Sequence, residues 1–318
     1  MDLKLYEKYD YVPRQPIEVV LNSKNGTELN NLDGHKLYLL EQEISSRKDE
    51  RILLYLKKAF IPFSFYTLSS SQKNNILDIK ETQVDGTNNT YSITIPDGNY
   101  SINQLNSKIK TLLETNTTFD FTYTISYDTA TGKVSFLILS GTNPATSTLL
   151  FSSGTNVNFS VRNILGFNST DVVFTPSIST TSQKVVDMAD GLDSIHIRSN
   201  LVGDNIRSTN AEGGELLLIP VELSPFSVLY YAEGALPFKH LINQNNIKRI
   251  EIKMTDANDN IIDFNQIPYT LILQVEFIFN PSSSINVNNR QLEEQNSLKN
   301  MVKKNEELAR EIIKKNNK

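Results

Sequence analysis

Four side chains spaced three residues apart are the first place to look for chemistry in this 318-residue sequence: Asp187, Asp190, Asp193 and His196. Carboxylates and an imidazole together suit a divalent cation. Gly191 interrupts any helix that would align them on one face. On a loop running into a strand they would point in different directions, so a polar connector is expected here. A second candidate, Asp256-Ala257-Asn258-Asp259-Asn260, opens like a calcium loop. Ile261 stands at the sixth position, where that loop needs glycine, and Ile267 at the twelfth, where it needs a bidentate glutamate. A hairpin turn is therefore expected. No Gly-rich phosphate loop, G-x-S-x-G elbow or H-E-x-x-H pair is present. Cysteine is absent, which removes disulfides, thiolate nucleophiles and cysteine-type zinc sites. The three histidines, His35, His196 and His240, are too few for a multi-histidine centre without carboxylates. The expectation is a protein that is not an enzyme, with no catalytic residue, no cofactor and no metal.

Composition fits that expectation. Hydrophobic residues make up 39% and charged residues 21%, enough for an ordinary core. A net charge of −5 does not advertise a nucleic-acid surface, and no specific nucleic acid is expected as a partner. No run approaches the roughly 18 apolar residues of a membrane span. Met1 to Lys8 carries charge too early for a secretory leader, so synthesis in the cytoplasm is expected. Asparagine supplies 35 of the 318 residues, so Asn-x-Ser/Thr triplets such as those at Asn25 and Asn88 are what chance provides.

The elements that would position any functional group are mostly strands. Arg51 to Ile61 is an apolar run ending at Pro62, and Ile76 to Ile79 is a second short strand. Tyr91 to Ile95 alternates with period two, and Pro96-Asp97-Gly98 breaks it. Ser101 and Gln104 form a capping box. Ile102, Leu105, Ile109, Leu112 and Leu113 follow at helical spacing. Two strands, Phe119 to Tyr127 and Lys133 to Leu139, flank a turn at Asp128–Gly132. This stretch has the order β-α-β-β. Residues 140–190 are rich in Ser, Thr and Asn, with a Gly166-Phe167 turn expected to pack on a core. Strands return at Ile195–Leu201, Leu216–Leu223, Ser227–Tyr231, Ile247–Met254 and Tyr269–Phe279. Many short strands with turn punctuation indicate a mainly β protein. The expected architecture is a single jelly roll with an inserted β-α-β-β unit and a C-terminal helix. Its expected divisions are an N-terminal arm and first strand over 1–47, the jelly roll over 48–84 plus 192–280, the insertion over 85–191, and a linker with helix over 281–318.

The two ends differ from the middle. Tyr6, Tyr9 and Tyr11 sit among charges and prolines, as expected of an extended arm that becomes ordered on a partner. Leu298, Met301, Asn305, Leu308 and Ile312 follow a 3-4-3-4 spacing with Asn305 in a core position, the pattern of a short self-associating or docking helix.

Several ordered stretches carry a family resemblance. They are Leu21–Asn25; Lys58-Ala59-Phe60-Ile61-Pro62-Phe63-Ser64-Phe65-Tyr66; Pro96–Ser101 with the following helix; Tyr127-Asp128 with Thr131–Val134; Ile164-Leu165-Gly166-Phe167; Ile195–Leu201; Ile250–Met254; and Asp263-Phe264-Asn265 with Pro268-Tyr269. Over residues 17 to 280 the chain resembles the minor capsid, or penton, proteins of double-stranded DNA viruses with double-jelly-roll major capsid proteins. Virophages, polinton-like viruses and giant viruses carry such proteins. The resemblance implies a structural role in the virion. It also implies self-association into a homo-oligomer, a pentamer at the five-fold vertex of an icosahedral shell, and contact with the viral major capsid protein. The rival readings are a receptor- or carbohydrate-binding surface or fibre module, and a non-vertex minor or cement protein. An exposed cluster of aromatic side chains around a concave site would favour the receptor- or carbohydrate-binding module.

Overall fold

The longest apolar run changes its alternation part-way, and that change organises the first sheet. The computed structural model describes residues 12–115, 121–141, 144–203 and 214–280, together with Ser297, Lys299 and Met301. In β4 (Glu50–Pro62), Ile52, Leu54 and Leu56 face inward, and then Ala59 and Ile61 do. The parity flips at a bulge: Lys58 pairs with Ile272, but Leu56 pairs with Leu273 of β17 (Thr270–Phe279). One extra residue on β4 restores the apolar face to the core. Without the bulge, one half of the strand would turn its apolar side chains to water.

The β4–β17 pair sits at the centre of a sheet completed by β1 (Ile17–Asn22) on one side and by β14 (Val228–Ala232) and β15 (His240–Ile242) on the other. The facing sheet runs β13-β12-β16-β3-β2, from β13 (Glu215–Pro220), β12 (Ser194–Ser199), β16 (Asn246–Thr255), β3 (Leu32–Ser45) and β2 (Thr27–Leu29). Take β1, β3, β4, β12, β13, β14 with β15, β16 and β17 as eight strands in chain order. The sheets then read 1-8-3-6 and 5-4-7-2, all antiparallel. The protein is mainly β, with a jelly-roll-like sandwich. Its core is continuous from Val19 through Phe65 and from Leu192 through Phe277.

A second core lies between the third and fourth of those strands. It draws on residues from Leu68 to Phe174. One sheet is β10-β9-β5-β6, with β10 (Val172–Phe174), β9 (Pro144–Leu149), β5 (Ile76–Gln83) and β6 (Asn88–Thr94). The other is β11-β8-β7, with β11 (Thr180–Thr181), β8 (Lys133–Ser140) and β7 (Thr122–Asp128). Helix α1 (Ile102–Thr115) lies on β7 and buries Leu105, Ile109 and Leu113. Its start is the capping box: the Gln104 amide N–H donates to Ser101 Oγ at 3.3 Å, and Gln104 Oε1 accepts from the Ser101 amide at 2.9 Å. The Tyr123 hydroxyl bridges the two sheets, donating to Glu81 Oε1 at 2.6 Å and meeting Ser147 Oγ at 2.9 Å.

Two expected boundaries are corrected by this pairing. Residues 76–83 do not belong to the jelly roll: β5 pairs with β6 and β9 and buries Leu77 and Ile79 in the second core. The chain passes between cores after Phe65 and before Leu68, and returns between Met188 and Leu192. Nor are residues 17–47 an arm with one strand. β1 and β3 put Val19, Leu21, Tyr38 and Ile44 into the first core. The β-α-β-β order is present as β6-α1-β7-β8, but β5, β9, β10 and β11 complete its sheets. Gly166 has φ +77, and a Cβ there would stand 2.4 Å from the Lys184 carbonyl oxygen, so only glycine allows the turn that sets Phe167 into the core.

Candidate functional site

The junction between the two cores is where Asp187, Asp190 and Asp193 fall, and it uses them structurally. Asp187 Oδ1 accepts from the amides of Ala189 and Asp190, both at 3.1 Å. Asp190 has φ +43, and its Oδ2 accepts from Asn74 Nδ2 at 3.0 Å. Burial pushes the Asp190 carboxyl above its ordinary range, against the pull of its bonds from Asn74 and Asn163. Asp193 accepts from the Ser194 hydroxyl. His196 stands away on β12, with Nδ1 3.4 Å from a Glu215 carboxylate oxygen on β13. Among the described residues no three His, Cys, Asp or Glu side chains converge on a metal-sized site.

The Asp256 turn is closed on itself in the same way. Asp256 Oδ1 accepts from the amides of Asn258 at 2.9 Å and Asn260 at 2.7 Å, and Oδ2 from Asn260 Nδ2 at 2.9 Å. Asp259 is engaged by Arg198 and by Lys253. The turn then locks the junction: the Ala257 amide donates to Gly191 O at 3.0 Å, and Asn258 Nδ2 to Asp190 O at 2.9 Å. Asn99 braces the outgoing crossing, accepting from the Thr67 amide and donating to Phe65 O. The cleft left here, about 230 Å³, is lined by amides and charges such as Asn158, Arg162 and Asn260. A second cleft of about 390 Å³ lies at the end of β1, between Ser23, Lys24, Gly26, Gln266, Ile267 and Pro268. No aromatic ring is among the lining residues of either.

No known protein family matches the sequence, and no curated protein matches it. A solved structure does align: the crystal structure of selenomethionine-labelled mavirus penton protein, at 11% identity and a TM-score of 0.44, over 83% of this chain and 100% of that chain. The likeness is coarse.

The arm and the seam lie mostly outside the described residues. Tyr6, Tyr9, Tyr11, Leu298, Asn305, Leu308 and Ile312 all do. Met301 is described; it is helical and exposed. The structure does show where both tails attach. Arg14 lies over the Phe277 ring, 3.8 Å from its centroid, and donates to Ser45 O at 2.7 Å and to the buried Glu50 carboxylate at 3.2 Å. Arg47 holds the same carboxylate and donates to Val12 O. The other tail leaves after Asn280, whose amide donates to Asp49 O at 2.7 Å. Both tails therefore depart from one end of the sandwich, and the second core sits at the other, beyond Pro62.

The most unusual surface is one the tyrosines and the heptad spacing did not indicate. Along β14 and the loops around it, Leu223, Phe226, Val228, Tyr230, Leu236 and Phe238 are exposed, with Leu236 95% and Phe226 82% accessible. Tyr230 rests against the exposed Phe60, ring centroids 5.1 Å apart. A lone exposed Leu needs no explanation, whereas several exposed apolar side chains within one short stretch do. The sequence signal was available. In Val228-Leu229-Tyr230-Tyr231 the strand alternation expects polar groups at 228 and 230, and it finds Val and Tyr.

Proposed function

We propose that this chain is a structural subunit of an icosahedral virus shell, a minor capsid protein that closes into a ring, most simply a pentamer at the five-fold vertex, and contacts the major capsid protein through its tails. The observation that carries this reading is the asymmetry of the sandwich. Both tails leave one end, the second unit occupies the opposite end, and one flank is apolar. A subunit with unlike ends and flanks is suited to fill a position in a closed surface. The virion is then its place of action, with the tail end towards neighbouring shell proteins and the second unit outward. The family resemblance in the sequence points the same way. The polar, ring-free clefts give no support to a carbohydrate-binding module.

The test is electron microscopy of the purified full chain, with and without the major capsid protein. Rings with five-fold averages are expected, along with their incorporation into shells. Deleting residues 1–11, which leaves the Arg14 anchor intact, should spare the ring and impair incorporation. A strictly monomeric chain in the presence of the major capsid protein would make it a monomeric cement or binding protein instead. Normal incorporation without residues 1–11 would remove the arm's role alone.

A further inference from the structure

A buried polar group without a partner sits at the junction between the two cores. Gln72 lines the cleft there and is 5% exposed, yet its Oε1 accepts no hydrogen bond. A buried acceptor left empty costs free energy, so its presence calls for a cause. The loop that carries it is firmly held. The Gln72 amide donates to Ser69 Oγ at 3.2 Å, and the Ser69 amide donates to Asn74 Oδ1 at 2.9 Å. Asn74 Nδ2 donates in turn to Thr67 O at 2.9 Å. Lys73 follows with φ +57, left-handed backbone of the kind found at ligand clamps.

The other lining groups divide into engaged and open ones. Asp190 is engaged, its carboxylate accepting from the side chains of Asn74 and Asn163. Asn260 Nδ2 is held by Asp256, and Asn258 Nδ2 by Asp190 O. Arg162 is half engaged: Nη1 donates to Phe151 O at 3.2 Å, which anchors the guanidinium, while Nε and Nη2 have no partner among the described residues. Lys73 and Asn158 are exposed at the rim and make no side-chain bond there. The lining therefore offers two cations against the single carboxylate of Asp190, one open amide and one empty acceptor. An anion answers the cations, and the fork of Arg162 suits a carboxylate. A bare oxyanion has no hydrogen for Gln72 Oε1. An acidic peptide residue has both groups, a carboxylate for the cations and a backbone N–H for Gln72.

We propose that this cleft receives an acidic residue, Asp or Glu, carried on an exposed loop of another protein. Its volume of about 230 Å³ is below the roughly 300–1,000 Å³ of sites that enclose a whole small molecule, so it takes one side chain and the peptide groups beside it. The carboxylate meets Arg162 and Lys73, the loop's N–H meets Gln72, and the Asn158 amide meets a peptide carbonyl. Walls from both units surround the guest, Gln72 and Arg162 from the inserted unit and Asn258 and Asn260 from the jelly roll. Binding therefore braces one unit against the other, beside the bond from the Ala257 amide to Gly191 O. The site needs no ring and is tested apart from the shell reading.

Nuclear magnetic resonance of the full chain tests it, with N-acetyl-glutamate methylamide as the probe. N-acetyl-glutamine methylamide and inorganic phosphate serve as comparisons. The glutamate probe should shift the side-chain amide signals of Gln72 and Asn158 saturably in the millimolar range. The glutamine probe should bind about 10-fold more weakly, because it has no charge for Arg162. Arg162→Gln should weaken the glutamate probe by about 10-fold. Gln72→Met, close in shape but without an acceptor, should also weaken it and leave the melting temperature unchanged, since Oε1 makes no bond that the fold could lose. Should either variant melt early, the other decides. Four results overturn the proposal. Absence of any saturable shift makes the cleft a water-filled gap. Equal binding of the glutamine probe removes the role of charge. Phosphate binding as tightly as the glutamate probe makes it an oxyanion site. Unchanged binding in both variants places the probe elsewhere.

Discussion

The jelly-roll unit and the inserted unit build their cores from opposite kinds of contact. In the jelly roll the central pairing joins Phe60 to Thr270, 210 positions later (270 minus 60). β1 finds its partner in β17, at the other end of the described chain. The inserted unit starts from neighbours, β5 with β6 and β7 with β8, each across a short turn, and its longest strand pairing, Ile79 with Leu149, spans 70 positions (149 minus 79). Its Asp128 turn is held locally, with the carboxylate accepting from the Ala130 amide and the Thr131 hydroxyl. Loop closure over 200 residues must precede any gain from the β4–β17 contacts, whereas the insert's hairpins close at once. The second core can therefore form while the first is still waiting for its last strand. On this contrast the inserted unit is expected to fold without the jelly roll, whereas the jelly roll needs the whole chain.

If that contrast is right, core truncations should act on one unit at a time, and these are the largest effects expected. Phe136 is fully buried in the second core against Phe167 and Phe174, and Leu54 is fully buried in the first. Phe136→Ala should cost about 3–5 kcal/mol and Leu54→Ala about 2–5 kcal/mol. Each loss should appear in hydrogen exchange as increased opening of its own unit, with amides of the other unit keeping most of their protection. Equal loss of protection in both units after Phe136→Ala would mean that the buttons at Asn74, Asn99 and Asn258 weld the two cores into one cooperative body, and the comparison would fail.

Acid provides a smaller and more selective probe, because all three histidines lie in the jelly-roll unit. His240 is fully buried on β15, where Nε2 bonds Leu216 O at 2.8 Å and the Phe238 ring meets it edge-on. Lys239 beside it is tied to Glu276, and Glu215 lies next to Leu216, 3.4 Å from His196. Burial pushes His240 below the 6.5 of an unfolded histidine, with the bond to Leu216 O opposing the shift. Below pH 6.5 the unfolded chain therefore takes up a proton that the folded site resists. Stability from this group is complete above pH 6.5 and is lost as pH falls from 6.5 towards the lower folded value. Amides of β13, β15 and β4 should lose exchange protection between pH 7 and 5, and those of β5, β7 and β8 should not respond through this site. His240→Gln, which retains a donor for Leu216 O but does not titrate, should reduce that slope. An unchanged slope in the variant would assign the acid response to other groups.

How much of this was legible in the residues depends on whether the signal was local. Ser101 and Gln104 announced the helix start because a capping box is complete within four positions. The Asp256 turn is legible for the same reason, since the bonds from Asn258 and Asn260 to the Asp256 carboxylate all fall within five positions. The assignment of β5 failed for a physical reason: Ile76-Leu77-Asp78-Ile79 has the same alternation in either sheet, and only partners at 88–94 and 144–149 decide which core it joins. The extent of β1 was hidden similarly, since Ile17–Asn22 becomes a strand by pairing with residues 270–275. The exposure of Phe226 and Tyr230 is not legible locally, because apolar residues near a strand suggest core. Their outward placement follows from strand parity together with the edge position of β14, and the second of these is a tertiary fact.

The smallest expected effect tests the independence of the inserted unit from the inside. The Ser101 hydroxyl oxygen accepts the Gln104 amide, and the Gln104 side chain accepts from the Ser101 amide and hydroxyl at 2.9 and 3.1 Å. These bonds satisfy N–H groups that the first turn of α1 would otherwise leave to water. Replacing an N-cap serine by alanine costs about 1 kcal/mol in comparable helices. Ser101→Ala should therefore lower protection along α1 and the β7 strand it covers by that amount, with no change at β4 or β17. Ser101→Asp should restore it, because aspartate caps as well as serine and adds a negative charge at the helix's positive end. The site is exposed and lies outside β14 and its loops, so neither change should alter the oligomer. If Ser101→Ala weakened β4 and β17 as much as α1, the two cores would be energetically one despite their separate contacts. The inserted unit would then be part of the frame.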